Sequence, residues 1–217
     1  MLNVQTFTFN PFQENCYVLY DDTKEAVIID PGCYAKEEQE TLKQFLQSND
    51  LRPVRLLNTH CHIDHVLGNF FINQNYGLPL EIHPKDEPVL MAVGSYASNY
   101  GFPAYTPCKA EKYLEEGDKV TFGETDLEVI WVPGHAPGHV VFYHPESKTC
   151  IGGDTLFQGS IGRTDLPGGD HQTLLDAIKA KLFTLPDDVK VHPGHGPATL
   201  IGHEKIHNPF VGKNAQF

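Results

Sequence analysis

Apolar and polar positions alternate in short bursts at the start of the chain. Val4 to Phe9, Cys16 to Tyr20 and Ala26 to Asp30 are β-rich runs separated by turn-forming residues, the signature of successive strands. The period then changes. Lys36 to Gln47 places Leu42, Phe45 and Leu46 on one side and charge on the other, which predicts a surface helix. A strand over Arg55 to Asn58 follows, with a helix over Leu67 to Asn75 behind it. Beyond a Pro- and Tyr-rich connector, Lys119 to Phe122, Leu127 to Val132, Val140 to His144 and Thr149 to Gly152 predict four more strands. Asp170 reads as the N-cap of a helix over Gln172 to Phe183, whose Leu174, Leu175, Ile178 and Leu182 share a face. A strand near Val189 and a short helix over Ile201 to Ile206 complete the pattern. Strands then helix, twice, predict an α/β fold of two stacked sheets covered outside by helices. Residues 1–217 read as one domain without a low-complexity linker.

Several of these apolar runs stop at a particular chemistry. Directly after Val54 to Leu57 comes Thr59-His60-Cys61-His62-Ile63-Asp64-His65, three imidazoles and a carboxylate within six residues. Strand alternation would turn His60 and His62 to one side, with Asp64 and His65 facing a second point as the chain turns. Burying four such donors is costly unless a cation offsets their desolvation. Val129 to Val132 leads to Pro133-Gly134-His135, Cys150-Ile151 to Gly152-Gly153-Asp154, and Val189 to Val191 to His192-Pro193-Gly194-His195. Ligands at the ends of separate strands would meet at one edge of the scaffold. One ion would take His60, His62 and His135, and a second Asp64, His65 and His195, with the two oxygens of Asp154 bridging them. Two divalent ions, the two carboxylates and a bridging hydroxide sum to a local charge of about +1. Asp64 is also placed to aim the attacking water as a catalytic carboxylate.

Composition narrows the partners. The formal net charge of −12 argues against nucleic acid, whose phosphates need a basic surface. Five scattered cysteines with no Cys-x-x-Cys pair read as reduced thiols of a cytoplasmic protein. No basic, apolar leader and no apolar run of membrane-spanning length is expected.

The order His-x-His-x-Asp-His, Pro-Gly-His, Gly-Gly-Asp, Pro-Gly-His resembles the metallo-β-lactamase superfamily, nearest to the short glyoxalase II-like hydroxyacylglutathione hydrolases. Ile29-Asp30-Pro31-Gly32, Gly162-Arg163-Thr164-Asp165 and Asn208-Pro209-Phe210 add to the likeness, which spans nearly the whole chain. The resemblance implies a four-layer αβ/βα sandwich holding two divalent transition-metal ions, zinc first, with iron or manganese as substitutes. It implies a small-molecule thioester substrate such as S-lactoylglutathione, cleaved by a metal-bound hydroxide, in a monomer or small homo-oligomer with no nucleic-acid or membrane partner. Longer glyoxalase II members carry a helical C-terminal extension that contacts glutathione. This sequence ends soon after Asn208-Pro209-Phe210, leaving Lys205 and Lys213 as its late basic candidates.

Other residues read less specifically. Arg163 suits a substrate carboxylate, but Asp165 and Asp170 offer it partners within its own loop. Tyr96, Tyr100, Phe102 and Tyr105 either line the substrate mouth or pack a connector onto the body. Cys61 is expected to pack away from the ions. His139 is expected to hydrogen-bond a ligand rather than serve as one. His192 yields to His195, and His83, His144, His171, His203 and His207 are expected at the surface. Asp30 either orients a ligand or caps a turn. Three rival functions differ in class. A mononuclear iron persulfide dioxygenase would need one ion and oxygen. A non-enzymatic metal-bound binding protein would fill its coordination shell. A zinc β-lactamase of the nearest layout would carry Cys in place of Asp154.

Overall fold

The structure is a computed structural model that describes residues 1–213 and 215. Its elements in chain order are β1 (Asn3–Phe9), β2 (Glu14–Tyr20), β3 (Glu25–Ile29), α1 (Lys36–Ser48), β4 (Arg52–Leu57), α2 (Ile63–Val66), α3 (Asn69–Tyr76), β5 (Leu80–Ile82), α4 (Glu87–Tyr96), β6 (Ala110–Tyr113) and β7 (Lys119–Phe122). There follow β8 (Thr125–Trp131), β9 (Val140–His144), β10 (Thr149–Gly153), β11 (Leu156–Phe157), β12 (Ser160–Ile161), α5 (His171–Ala180), β13 (Lys190–Pro193), β14 (Thr199–Leu200) and α6 (Ile201–His207).

Two six-stranded sheets form, ordered β1-β2-β3-β4-β5-β6 and β14-β13-β10-β9-β8-β7. The first opens with an antiparallel meander and continues in parallel from β3 through β6, so its later strands are joined by helical crossovers. Side-chain parity builds the layers. Tyr17, Leu19, Val27, Ile29 and Leu57 of the first sheet meet Val120, Phe122, Leu127, Val129, Val140, Phe142 and Ile151 of the second in one buried cluster. Their strand neighbours face the other way. Val18, Ile28 and Leu56 pack under Leu42, Leu46, Ile72, Leu90 and Val93 of α1, α3 and α4. Val141, Cys150 and Val191 pack under Leu174, Ile178 and Ile201 of α5 and α6. Central strands that bury both faces give the helix–sheet–sheet–helix order of an αβ/βα sandwich.

Asp170 caps α5, its carboxylate accepting the Thr173 amide at 2.7 Å. The stretch between Tyr76 and Lys119 corrects the expected connector, because it contains β5, α4 and β6. β5 is three residues long, too short to show a period, and Pro88 in the first turn of α4 reads locally as a breaker although that position tolerates it. The helix expected over Leu67 to Asn75 is α3, and a separate one-turn helix, α2, precedes it within the ligand run from Ile63. Among the described residues no helix is long and apolar enough to cross a membrane.

Candidate metal centre

Four strand ends meet at one edge of the sandwich. β4 stops at Leu57, so residues 58–62 form a loop, and strand alternation is not what brings His60 and His62 together. Register does part of the work: β3 and β4 pair in parallel with Ile29 beside Leu57, which sets Asp30 against the start of that loop. Asp30, at φ 51°, accepts the Thr59 amide at 2.7 Å, the Thr59 hydroxyl at 2.6 Å and an Asn58 amide proton at 3.2 Å. Its Oδ2 also lies 3.1 Å from His65 Nδ1. Asp30 therefore orients a histidine as well as the loop. On the far side, Asn15 donates to the carbonyls of Pro193 and Gly196, and Tyr17 to that of Pro193, pinning the loop that carries His195.

The seven residues picked out by spacing converge. His135 Nε2 stands 2.9 Å from His62 Nδ1 and 3.1 Å from His60 Nε2. Asp64 Oδ2 is 3.1 Å from His195 Nε2 and 3.7 Å from His65 Nε2. Asp154 lies between the two groups, with Oδ1 3.5 Å from His65 Nε2 and Oδ2 3.6 and 3.5 Å from His135 and His195. The ligand-type atoms of His60, His62 and His135 fall within 4.8 Å of one another, as do those of Asp64, His65 and His195. Asp30, His60 and His65 form a third such set, but Asp30 is already engaged by Thr59 and Asn58.

Whether this set fits divalent ions is decided by the ring nitrogens facing away from the centre. His60 Nδ1 lies 3.1 Å from Thr59 Oγ1, His65 Nδ1 meets Asp30, and His135 Nδ1 lies 2.7 Å from the Arg163 carbonyl. His195 Nδ1 lies 3.1 Å from the Phe12 carbonyl. Outer acceptors of this kind fix the tautomer that leaves Nε2 free for a cation. Buried His65 Nε2 and Asp154 Oδ1 have no hydrogen-bond partner among the described residues and face each other. The residues fit.

Electrostatics divides the centre. Burial, then the neighbouring rings, lowers His60 well below its ordinary value, and burial takes His62 to about 4 and His135 to about 3. These three rings are neutral nitrogen donors at pH 7. Burial also opposes charge on His65 and His195, yet the carboxylates of Asp64, Asp154 and, for His65, Asp30 raise both. Asp64 is held below the carboxylate range despite burial, by His65 and His195, whereas burial pushes Asp154 up to about 6. Carboxylates that draw protons onto buried rings are asking for positive charge.

Three contributors carry no signal in the sequence. Asp86, fully buried, accepts the amides of Cys61 at 2.6 Å and Gly138 at 2.7 Å. Glu14, fully buried, lies 3.8 Å from His65 Nδ1 with neither oxygen hydrogen-bonded among the described residues, and burial raises its carboxyl well above the usual range. Asn15 is described above. None sits in a Gly-terminated strand ending, the grammar that marks the other residues. His139 behaves as spacing suggests, its Nε2 accepting the Asp154 amide at 2.9 Å while its ring stacks on His60. Cys61 is buried in the outer core beneath α3 and α4.

The expected substrate cations are both engaged. Arg163 forms a bidentate pair with Asp165 at 2.7 and 2.8 Å, and its carbonyl serves His135. Lys205 is bound to Asp187 at 2.6 Å and the Leu185 carbonyl at 3.0 Å, none of which belongs to the centre. Of the aromatic group, Phe102 is buried edge-on against Tyr34, while Tyr100 stays open beside Phe12, whose carbonyl meets His195. His83, expected at the surface, is buried and stacks on Trp131 with ring centroids 5.6 Å apart. His192 meets Tyr17 edge-on, clear of the centre.

A four-layer αβ/βα fold with a His/Asp cluster at one edge of its sheets defines a class of metallo-hydrolases. The family model described as Metallo-beta-lactamase superfamily matches residues 9–195, and the chain belongs to that superfamily. It is 37% identical to a Haemophilus influenzae protein named hydroxyacylglutathione hydrolase GloC, over 99% of this chain and 100% of that one. Among solved structures it resembles the BLEG-1 B3 metallo-beta-lactamase (38% identity, TM-score 0.85, covering 97% of this chain and 99% of that one). It also resembles TTHA1623 in a di-iron-bound form (40% identity, TM-score 0.83, covering 95% and 100%). Fold membership implies divalent metal ions at the His/Asp cluster.

Proposed function

We propose that the chain hydrolyses small thioesters of the S-lactoylglutathione type at a two-ion centre. The observation that carries this reading is Asp154, whose two oxygens reach toward His65 on one side and toward His135 and His195 on the other. His60, His62 and His135 would hold one ion, Asp64, His65 and His195 the other, and Asp154 both. Divalent ions bound there supply Lewis acidity to a substrate carbonyl and lower the pKa of a coordinated water. Asp64 stays ionised and accepts a hydrogen bond from the attacking water, aiming its oxygen. No side chain competes as nucleophile among the cysteines, since all five are buried. Cys61, nearest in sequence, has its thiol pushed well up by burial. A thiolate leaves without being protonated, so a site lacking an evident general acid suits a thioester better than an alkyl ester.

Similarity to the Haemophilus influenzae hydrolase supports the acyl-glutathione substrate. Arg163 and Lys205 are paired with Asp165 and Asp187, so glutathione carboxylates would compete with these partners, which favours a weak grip on glutathione. A second reading has its own support. Similarity to a B3 metallo-beta-lactamase favours a β-lactam substrate, which the presence of Asp154 rather than Cys had set aside. Zinc is the first choice of ion, and the di-iron relative supports iron as the other. Initial rates with S-lactoylglutathione, a lactoyl thioester of a smaller thiol, and a cephalosporin decide among them. The thioester reading expects both thioesters to be cleaved, with a high KM for the glutathione one. Cephalosporin turnover alone would replace it.

A further inference from the structure

The three nitrogens assigned to one ion come from two loops that share no strand pairing of their own. His60 and His62 lie after β4 in the first sheet, and His135 lies after β8 in the second. His135 Nε2 nevertheless stands within hydrogen-bond range of both His62 Nδ1 and His60 Nε2, so the spacing of the two backbones must be fixed. One backbone bond joins them, from the Val140 amide to the Thr59 carbonyl at 2.8 Å, and Asp86 supplies the side-chain tie. It sits at the start of α4, outside both loops, with its carboxylate fully buried. One oxygen accepts the amide of Cys61, between His60 and His62, at 2.6 Å. The other accepts the amide of Gly138, three residues past His135, at 2.7 Å. A Cβ at Gly138 would stand 2.5 Å from the Asp86 amide nitrogen, so the second loop is seated directly against this residue.

We infer that Asp86 is a positioning residue that holds the His60–His62 loop and the His135 loop in register and so builds the first ion's site. The inference rests on the metal reading above. The other half of the centre has anchors of its own. Asp64 and His65 lie in α2, and the His195 loop is tied by Asn15 and Tyr17. Removing Asp86 should therefore loosen this ion's site more than the other, which a loss of general stability would not do.

Asp21 supplies a matched control. It is equally a buried staple, accepting the amide of Glu124 at 2.7 Å and the hydroxyl of Thr125 at 2.9 Å, and it joins the β2–β3 turn to the β7–β8 turn. None of those residues touches the centre.

The test measures bound zinc per chain in wild type, Asp86→Asn, Asp86→Ala and Asp21→Asn. Expected are two ions in wild type and Asp21→Asn, and one in the Asp86 variants. Combining Asp86→Asn with His60→Ala should leave that one ion, while combining it with His195→Ala should leave none. In the wild-type apoprotein, the amide protons of Cys61 and Gly138 should resonate downfield and exchange slowly, because both donate short bonds to one carboxylate. That signature needs no variant to fold. Two ions retained in Asp86→Ala, equal loss in Asp21→Asn, or rapid exchange at both amides would overturn the inference. A wild-type chain that takes up no zinc overturns the metal reading and this inference with it.

Discussion

Gly194→Ala should dismantle the centre while leaving the fold in place. Gly194 precedes His195, and its φ lies outside the left-handed region, so alanine fits its backbone. Space is the difficulty. An added Cβ would stand 2.1 Å from Asp154 Oδ1 and 2.7 Å from His65 Cε1. An ordinary van der Waals contact is about 3.5 Å, so the carboxylate must retreat by more than about 1 Å. A displacement of that size at reacting groups costs roughly 10²-fold in rate. Overpacking adds about 1–3 kcal/mol of destabilisation, which lowers Tm by about 2–4 °C per kcal/mol in a chain of this size. Gly77→Ala, at the end of α3, separates the two effects. Its φ of 65° strains any other residue, but no described atom lies within 4 Å of its Cβ position. It should lose about 1–2 kcal/mol through backbone strain and keep its metal and activity. Elemental analysis, initial rates and melting of both variants form the assay. Gly194→Ala with full metal content and wild-type kcat would refute the placement of Asp154 at the heart of the centre.

Asp154→Ala should lose more metal than His60→Ala or His195→Ala, because Asp154 alone reaches both groups; equal single-ion losses in elemental analysis would remove the bridging assignment. Acidification should release the ions in two steps. Protons compete first for His65 and His195, which the carboxylates raise, and for Asp154 at about 6, while His62 at about 4 and His135 at about 3 stay neutral until lower pH. The ion of Asp64, His65 and His195 therefore leaves first as pH falls, and metal retained after equilibration across the range checks this. Loss of both ions in one step would contradict it. Asp170→Ala should cost about 1 kcal/mol through the lost α5 cap without changing metal content, as melting curves and elemental analysis together would show.

The centre is legible in the sequence because its chemistry is concentrated. Each of the seven residues lies in a run that stops abruptly after apolar strand residues, and the buried two-faced strands announce themselves by parity. Strand alternation is not what gathers the first two histidines. His60 and His62 lie in a loop shaped by Asp30 and Asp86, not in a strand. The supports were hidden for a physical reason. Asp86 and Asn15 act through backbone amides and carbonyls far away in sequence, and such bonds leave no local pattern. His83 looked like a surface residue because its partner, Trp131, is brought to it only by the packing of one sheet on the other. The region around β5 and α4 shows no period and reads as a connector, yet it carries the carboxylate that ties two loops of the centre together.

The most direct test of the account titrates zinc into the apoprotein while recording bound metal, thiol released from S-lactoylglutathione and dissolved oxygen in the same samples. Two ions should bind per chain, thiol release should rise with their binding, and oxygen should stay constant, including when glutathione persulfide replaces the thioester and iron replaces zinc. Persulfide-dependent oxygen uptake by a one-iron protein, with no thioester cleavage under any loading, would contradict it.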